Sequence, residues 1–248
     1  TTYHQEIDKN RSKELSMSLN NNILCKEISK IYLFSEVETK DFFDINGIKV
    51  IYHKNRPKFE DIFDLINSVT SVNDINIVAN ADIYFDNSLK MLTNINLLNC
   101  CLALTRWDIW KDGRARLTEI SESQDAWVFL GKIKQMNSDI PLGIPGCDGR
   151  LAYEIKKSGY HLFNPSISIK AYHLHTSEYR PNLDKWFLKD FCIGPPYLNI
   201  IPDTLESFTI TKITILLKGY KIIADHLYSI KIKRWYRKKE LYVKRTHL

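Results

Sequence analysis

The chain has 248 residues, 44% of them hydrophobic and 26% charged, with a formal net charge of +6. Such a composition excludes a disordered chain, and the length suits one sizeable α/β domain with an appendage. The charge is segregated, because residues 211–248 hold eleven Lys or Arg against Asp225 and Glu240, leaving 24 basic and 27 acidic residues in the body.

That body has no basic stripe, paired-histidine zinc finger or RNA-binding aromatic motif, so nucleic acid is not an expected partner. The five cysteines, Cys25, Cys100, Cys101, Cys147 and Cys192, are odd in number and lack the short spacing of a zinc or redox motif, which fits a reducing compartment. No run approaches the roughly eighteen apolar residues of a membrane span, and the opening residues lack the order of a secretory signal. A cytoplasmic domain is the expectation.

In chain order, Thr1, Thr2 and Tyr3 read as the end of a first strand and residues 11–23 as a helix. Strands are predicted at 29–34, 48–53, 75–79 and 101–105 from their β-branched runs. Between them, Phe59, Ile62, Phe63, Ile66 and Val69 recur at helical spacing, and Leu89, Leu92, Ile95 and Leu98 do so after Asn87 and Ser88, which read as an N-cap. This alternation predicts an α/β fold with a mostly parallel sheet flanked by helices.

Beyond residue 106, Trp107, Trp110, Gly113, Trp127, Gly131, Pro141, Gly143, Pro145 and Gly146 punctuate loops and short strands. A helix is predicted over 148–158 with Gly159 as its C-cap, then a strand on which Ile167, Ile169, Ala171, His173 and His175 share one face. From about residue 205, Ile213, Leu216, Tyr220, Ile223, Leu227 and Ile230 fall at three- and four-residue spacing. The expected division is a body of residues 1–200 and a basic amphipathic helical tail of 201–248.

Candidate chemistry begins where the strand at 75–79 runs out into Asn80-Ala81-Asp82. Open α/β sheets bind ligands at such carboxyl ends. A hard divalent cation takes carboxylate oxygen, which Asp82 can supply, while Asn80 can hydrogen-bond a ribose or a metal-bound water. The same residues also suit a plain strand cap and turn. A second constellation runs from Gly146-Cys147-Asp148 through Leu151, Gly159 and Tyr160 to Asn164-Pro165 and Tyr172-His173-Leu174-His175.

Taken together, these motifs resemble the family 2 type of inverting glycosyltransferases with the Rossmann-like GT-A fold, over roughly residues 1–176. In that family an acidic residue opens a helix of the form D-x-x-L-x-x-x-x-x-x-x-G-Y, followed by a proline-bearing turn and a strand ending in His. The resemblance implies that Asp82 of a D-x-D-like motif binds manganese or magnesium, with His173 or His175 as a further metal or diphosphate ligand. It implies that Asp148 is the base, that Glu36 lies near the nucleobase, and that Arg11 lies near the nucleotide. Two departures stand out: Asn80 replaces the family's usual Asp, and Cys147-Asp148 replaces a pair of acids.

A carboxylate at a helix N-terminus is favoured as the anion, so Asp148 is expected to be ionised at neutral pH. Asp125 is the alternative base. Trp107 and Trp127 offer flat faces to pyranose rings, although tryptophans are mostly core residues and core packing is the better reading for at least one of them, and Arg106 and Asp125 can make directional hydrogen bonds to sugar hydroxyls. The expected activity moves a sugar from a nucleotide-sugar donor to a glycan or lipid-linked acceptor. Lys231, Lys233, Arg234, Arg237, Lys238 and Lys239 around Trp235 and Tyr236 would suit peripheral contact with an anionic membrane. Two other classes fit the layout: a nucleotidyltransferase, although 1–12 lacks a Gly-rich phosphate loop, and a non-catalytic carbohydrate- or lipid-binding module.

Overall fold

A computed structural model describes residues 1–3, 8–36, 47–118, 123–174 and 192–206. The chain divides into two compact units, Thr1–Thr204 and Leu205–Leu248. Of the second, only Leu205 and Glu206 are described, so the expected tail helix and its basic cluster lie outside the described residues, as does His175. Among the described residues no helix is long and apolar enough to cross a membrane.

The first unit is an α/β structure. Its opening sheet holds β1 (Thr2–Tyr3), β2 (Ile31–Ser35) and β3 (Ile48–Tyr52), all parallel. Helix α1 (Lys9–Leu24) connects β1 to β2 and starts at Asp8, whose side chain accepts from the Arg11 N–H. Helix α2 (Phe59–Val69) buries Phe59, Ile62, Phe63 and Ile66, the stripe its spacing predicts, and the Asp61 carboxylate accepts from the Lys58 N–H at 2.8 Å to close its first turn.

The second sheet contains β4 (Ile75–Ala79), β6 (Cys100–Leu104), β9 (Ala126–Leu130) and β10 (His161–Phe163), in the order β10-β6-β9-β4. All of β6 and most of β9 are buried, so neither shows polar alternation. The third sheet contains β5 (Ile83–Phe85), β7 (Arg106–Ile109), β8 (Ala115–Leu117) and β11 (Ala171–Leu174), in the order β5-β11-β7-β8. Strand β7 pairs with β8 as an antiparallel hairpin that turns the chain round. The chain then re-enters the second sheet as β9, antiparallel to both β4 and β6.

That reversal makes the sheets more mixed than expected, with four of the eight strand pairings among the described residues antiparallel. Three local expectations also change. Residues Asn87–Asn94 form a 3₁₀ helix capped by Asp86 instead of an α-helix capped by Asn87 and Ser88, and Leu98 is 62% exposed. The strand that carries His173, described over Ala171–Leu174, starts later than expected because the Ser168 and Ile169 N–H groups both turn back to the Pro165 carbonyl. Helix α3 spans Cys147–Lys157, and Gly159 at φ +88° lies just beyond its end, where a left-handed residue satisfies the last carbonyls.

Candidate functional site

The β9 reversal builds the site. Because Ala126 pairs with both Ala79 and Leu104, the start of β9 lies beside the carboxyl ends of β4 and β6. Asn80, Thr105, Arg106 and Asp125 are therefore gathered at one sheet edge, the end where α/β sheets bind ligands. Asp125 is 5% exposed, and its carboxylate accepts from Asn80 Nδ2 at 3.1 Å, from Arg106 Nη1 at 3.1 and 3.4 Å, and from Ser123 Oγ at 3.3 Å. Its carbonyl accepts from the Asn80 N–H at 3.0 Å.

From Arg106 the network continues into the third sheet. Arg106 Nε donates to Asp108 Oδ1 at 3.0 Å, since residues two apart on β7 share a face. The register sets Asp108 beside His173, and Asp108 Oδ1 lies 2.8 Å from His173 Nδ1. His173 also pairs with Ile83, so its Nε2 reaches Asp82 Oδ2 at 3.3 Å. Arg11 Nη2 reaches the same oxygen at 2.5 Å, while its Nη1 donates to buried Glu14 at 3.0 Å. Cations and carboxylates thus alternate along a chain from Arg11 to Asp125.

Helix α1 holds its end of this chain through β5. Ser18 Oγ donates to the Asp82 carbonyl at 3.0 Å, Asn22 Nδ2 donates to the Ile83 carbonyl at 2.8 Å, and Asn22 Oδ1 accepts from the Phe85 N–H at 3.1 Å. Burial opposes ionisation of Asp82, but His173 and Arg11 outweigh it and hold the carboxyl far below its ordinary range. Burial also opposes charge on His173, yet Asp82 and Asp108 raise its pKa to about 9. The ligand-free imidazole is an imidazolium at neutral pH, directed at one carboxylate through each nitrogen.

Asp148 differs from the expectation. The N-cap of α3 is Gly146 at φ +85°, and Asp148 sits in the first turn, half-buried. Burial raises its pKa well above the ordinary value, the Asp125 carboxylate raises it further, and Cys147 and Arg106 offset this only in part. The helix dipole, a surface-scale effect, does not overcome desolvation beside a like charge. Asp148 is therefore a carboxyl that holds its proton more tightly than predicted, and its Oδ1 accepts from the Cys147 thiol at 3.5 Å.

A later segment covers this helix start. The Ile193 N–H donates to the Pro145 carbonyl and the Leu198 N–H to the Gly149 carbonyl, each at 2.9 Å. The approach requires glycine at 146, where a Cβ would lie 2.7 Å from the Ile193 carbonyl oxygen, and is tight at Gly149, where one would lie 3.2 Å from Tyr197 Cβ.

Other predicted residues lie elsewhere. Trp127 is 1% exposed in the centre of β9 and belongs to the core, so it offers no face to a sugar. Trp107 alternates with Arg106 and Asp108, so it points to the other side of the third sheet, where its Nε1 donates to the Ser166 carbonyl at 2.7 Å. Glu36 stands exposed one residue beyond β2 and outside the bonded chain. Sequence reasoning missed Asp108 as a partner of His173, although two-residue alternation from Arg106 puts it on the right face. Glu14, Ser18 and Asn22 carry no such signal, because their value depends on where α1 meets β5.

A metal can be tested against these donors. Among the described residues no group of three or more His, Cys, Asp or Glu side chains is gathered to hold an ion. Two donors do converge, Asp82 Oδ2 and His173 Nε2. Asp108 holds the other ring nitrogen, as a carboxylate behind a metal-bound histidine does, and a metal at Nε2 would replace a proton there. Two protein donors suit a cation completed by substrate phosphates and water. The residues fit a substrate-shared cation rather than a protein-only site.

Compared with known proteins, the chain matches no family model and no curated protein.

Proposed function

We propose that this chain is a glycosyltransferase of GT-A type, moving a sugar from a nucleoside-diphosphate donor to a hydroxyl of a glycan or lipid-linked glycan with inversion at the anomeric carbon. The observation that carries this reading is the division of labour between two neighbouring carboxyls. Asp125 has its oxygens engaged by Asn80, Arg106 and Ser123, whereas the pKa of Asp148 is raised and its carboxyl meets the Cys147 thiol at 3.5 Å. A general base is helped by a carboxyl whose proton affinity is raised, the direction in which burial and the neighbouring Asp125 carboxyl move Asp148.

In the proposed reaction, the acceptor oxygen bonds to the anomeric carbon as the bond from that carbon to the diphosphate oxygen breaks. The acceptor's proton passes to the Asp148 carboxylate. Asp82 and His173 would hold the divalent cation, which when bound neutralises charge on the departing diphosphate. Arg106 keeps Asp108 and Asp125 in place and, through Asp108, fixes the ring of His173. Glu36 remains assigned to the nucleobase by resemblance alone, and the basic stretch within 201–248 to an anionic membrane surface.

A panel of sugar nucleotides, incubated with and without Mn²⁺, tests the class. Release of nucleoside diphosphate supports transfer, release of pyrophosphate supports a nucleotidyltransferase, and turnover of nothing supports a binding module. Asp148→Asn should keep donor binding and lose about 10²- to 10⁴-fold in transfer. Normal turnover by that variant would remove Asp148 from the role of base.

A further inference from the structure

We propose that Arg11 is a built-in counter-ion for Asp82 that makes binding of the divalent cation and of the nucleoside diphosphate mutually dependent; this rests on the transfer reading above. The same oxygen, Asp82 Oδ2, faces His173 Nε2 at 3.3 Å and Arg11 Nη2 at 2.5 Å. A divalent cation bridging Asp82 and His173 must therefore compete with a guanidinium that never loses its charge. With Arg11 in place, the cation enters against a neighbouring positive charge at close range, where Coulomb terms are large.

A diphosphate changes that balance. Guanidinium groups match phosphate oxygens with paired N–H donors, so an incoming diphosphate can draw Arg11 off Asp82 and free Oδ2 for the cation. The side chain is anchored for such an exchange. Its Nη1 donates to Glu14 Oε2 at 3.0 Å, and Glu14 is 1% exposed, so the arginine keeps one partner while changing the other. Its backbone does not need to move, because Asp8 caps its N–H at 2.7 Å and α1 is bonded to β5 through Ser18 and Asn22. Arg11 and Asp82 are 71 residues apart in sequence, yet their meeting is fixed by these contacts.

The coupling is thermodynamically reciprocal, so it is readable from either ligand. Calorimetric titration of the full chain with Mn²⁺ alone, with UDP, GDP, CDP or dTDP alone, and with Mn²⁺ at saturating nucleotide gives three binding constants, and the fourth follows from closing the cycle. The wild type should bind Mn²⁺ weakly alone and on the order of tenfold more tightly with its nucleotide, after correction for Mn²⁺ binding to free nucleotide. Arg11→Gln should bind Mn²⁺ alone more tightly than the wild type and lose most of that enhancement. Arg11→Lys, which keeps the charge, should leave Mn²⁺ binding alone as weak as in the wild type, and separates the effect from any loss of fold.

Unchanged or weaker Mn²⁺ binding by Arg11→Gln, with nucleotide binding intact in the wild type, overturns the role of Arg11 and leaves the transfer reading standing. Failure of the wild type to bind any of the nucleotides, with or without Mn²⁺, overturns both.

Discussion

Asn80 is where this site departs from a D-x-D pattern, and Asp125 supplies the reason. The Asn80 amide donates to Asp125 Oδ1 at 3.1 Å, so an acid at position 80 would bring a second carboxylate against one already buried. Asn80→Asp should therefore lose about 1–3 kcal/mol of stability at neutral pH, measured by urea unfolding, and lose less in acid, where a shared proton relieves the repulsion. Asp125 also raises the pKa of Asp148. Asp125→Asn should consequently shift the basic requirement of the transfer reaction to lower pH, seen as an acid-side displacement of the kcat/KM profile. A profile that does not move would mean that Asp125 does not tune the base.

At the scale of elements, the site depends on how α1 is fastened to β5. Asn22 serves both the Ile83 carbonyl and the Phe85 N–H, and removing it leaves two strand groups without that partner beside Asp82. Asn22→Ala should cost about 1–3 kcal/mol and loosen Asp82 before it harms the distant core. Trp127→Ala, by contrast, opens a large cavity in the second sheet and should cost about 3–5 kcal/mol, with unfolding rather than altered sugar preference as the observed defect.

What was legible in the sequence follows the same scale. Helix α2 was legible because its apolar stripe is strictly periodic, and β4 because a short β-branched run ends in polar residues. The gathering of Asn80, Asp82, Asp125, Asp148 and His173 was anticipated only through the order of motifs. The antiparallel return of β9 was not legible, since a buried run such as Ala126–Leu130 looks the same in either direction. Of the two tryptophans offered to a sugar, Trp127 takes the core alternative, since its pairing with Val78 and Ala103 puts it inside a sheet. Asp148 was misjudged because spacing reveals a helix start but not the carboxylate facing it.

For the molecule as a whole, the charged chain predicts a dependence of stability on pH. His173 rises from its ordinary 6.5 to about 9. A raised pKa means that its stabilising pairs are fully present below pH 6.5 and are lost as pH rises through about 9. Asp148 acts in the same sense from lower pH: its folded form holds a proton that the unfolded chain releases above its ordinary value of 3.8, so its contribution declines as pH rises beyond that. Urea midpoints of the ligand-free protein should therefore fall from neutral to alkaline pH, and His173→Gln should flatten that fall. An equally steep decline in the variant would assign it to other groups.

Residues 193–203 are bonded to the body at two separate places. Besides the contacts to Pro145 and Gly149, the Ile200 carbonyl accepts from Asn164 Nδ2 at 3.0 Å, the Asp203 carbonyl accepts from the Ile167 N–H at 3.1 Å, and the Asp203 N–H donates to the Asn164 carbonyl at 2.7 Å. Ile200 is itself part of the core cluster. Covalent continuity across 175–191 is then not what retains this stretch. A protein cleaved within 175–191 should stay together as a non-covalent complex of two fragments that co-elute under native conditions, whereas a chain ending at 174 should lose the cover over Gly149 and leave Asp148 titrating nearer to an ordinary carboxyl. Fragment complementation thus offers a way to exchange the cover of the proposed base without touching the base itself.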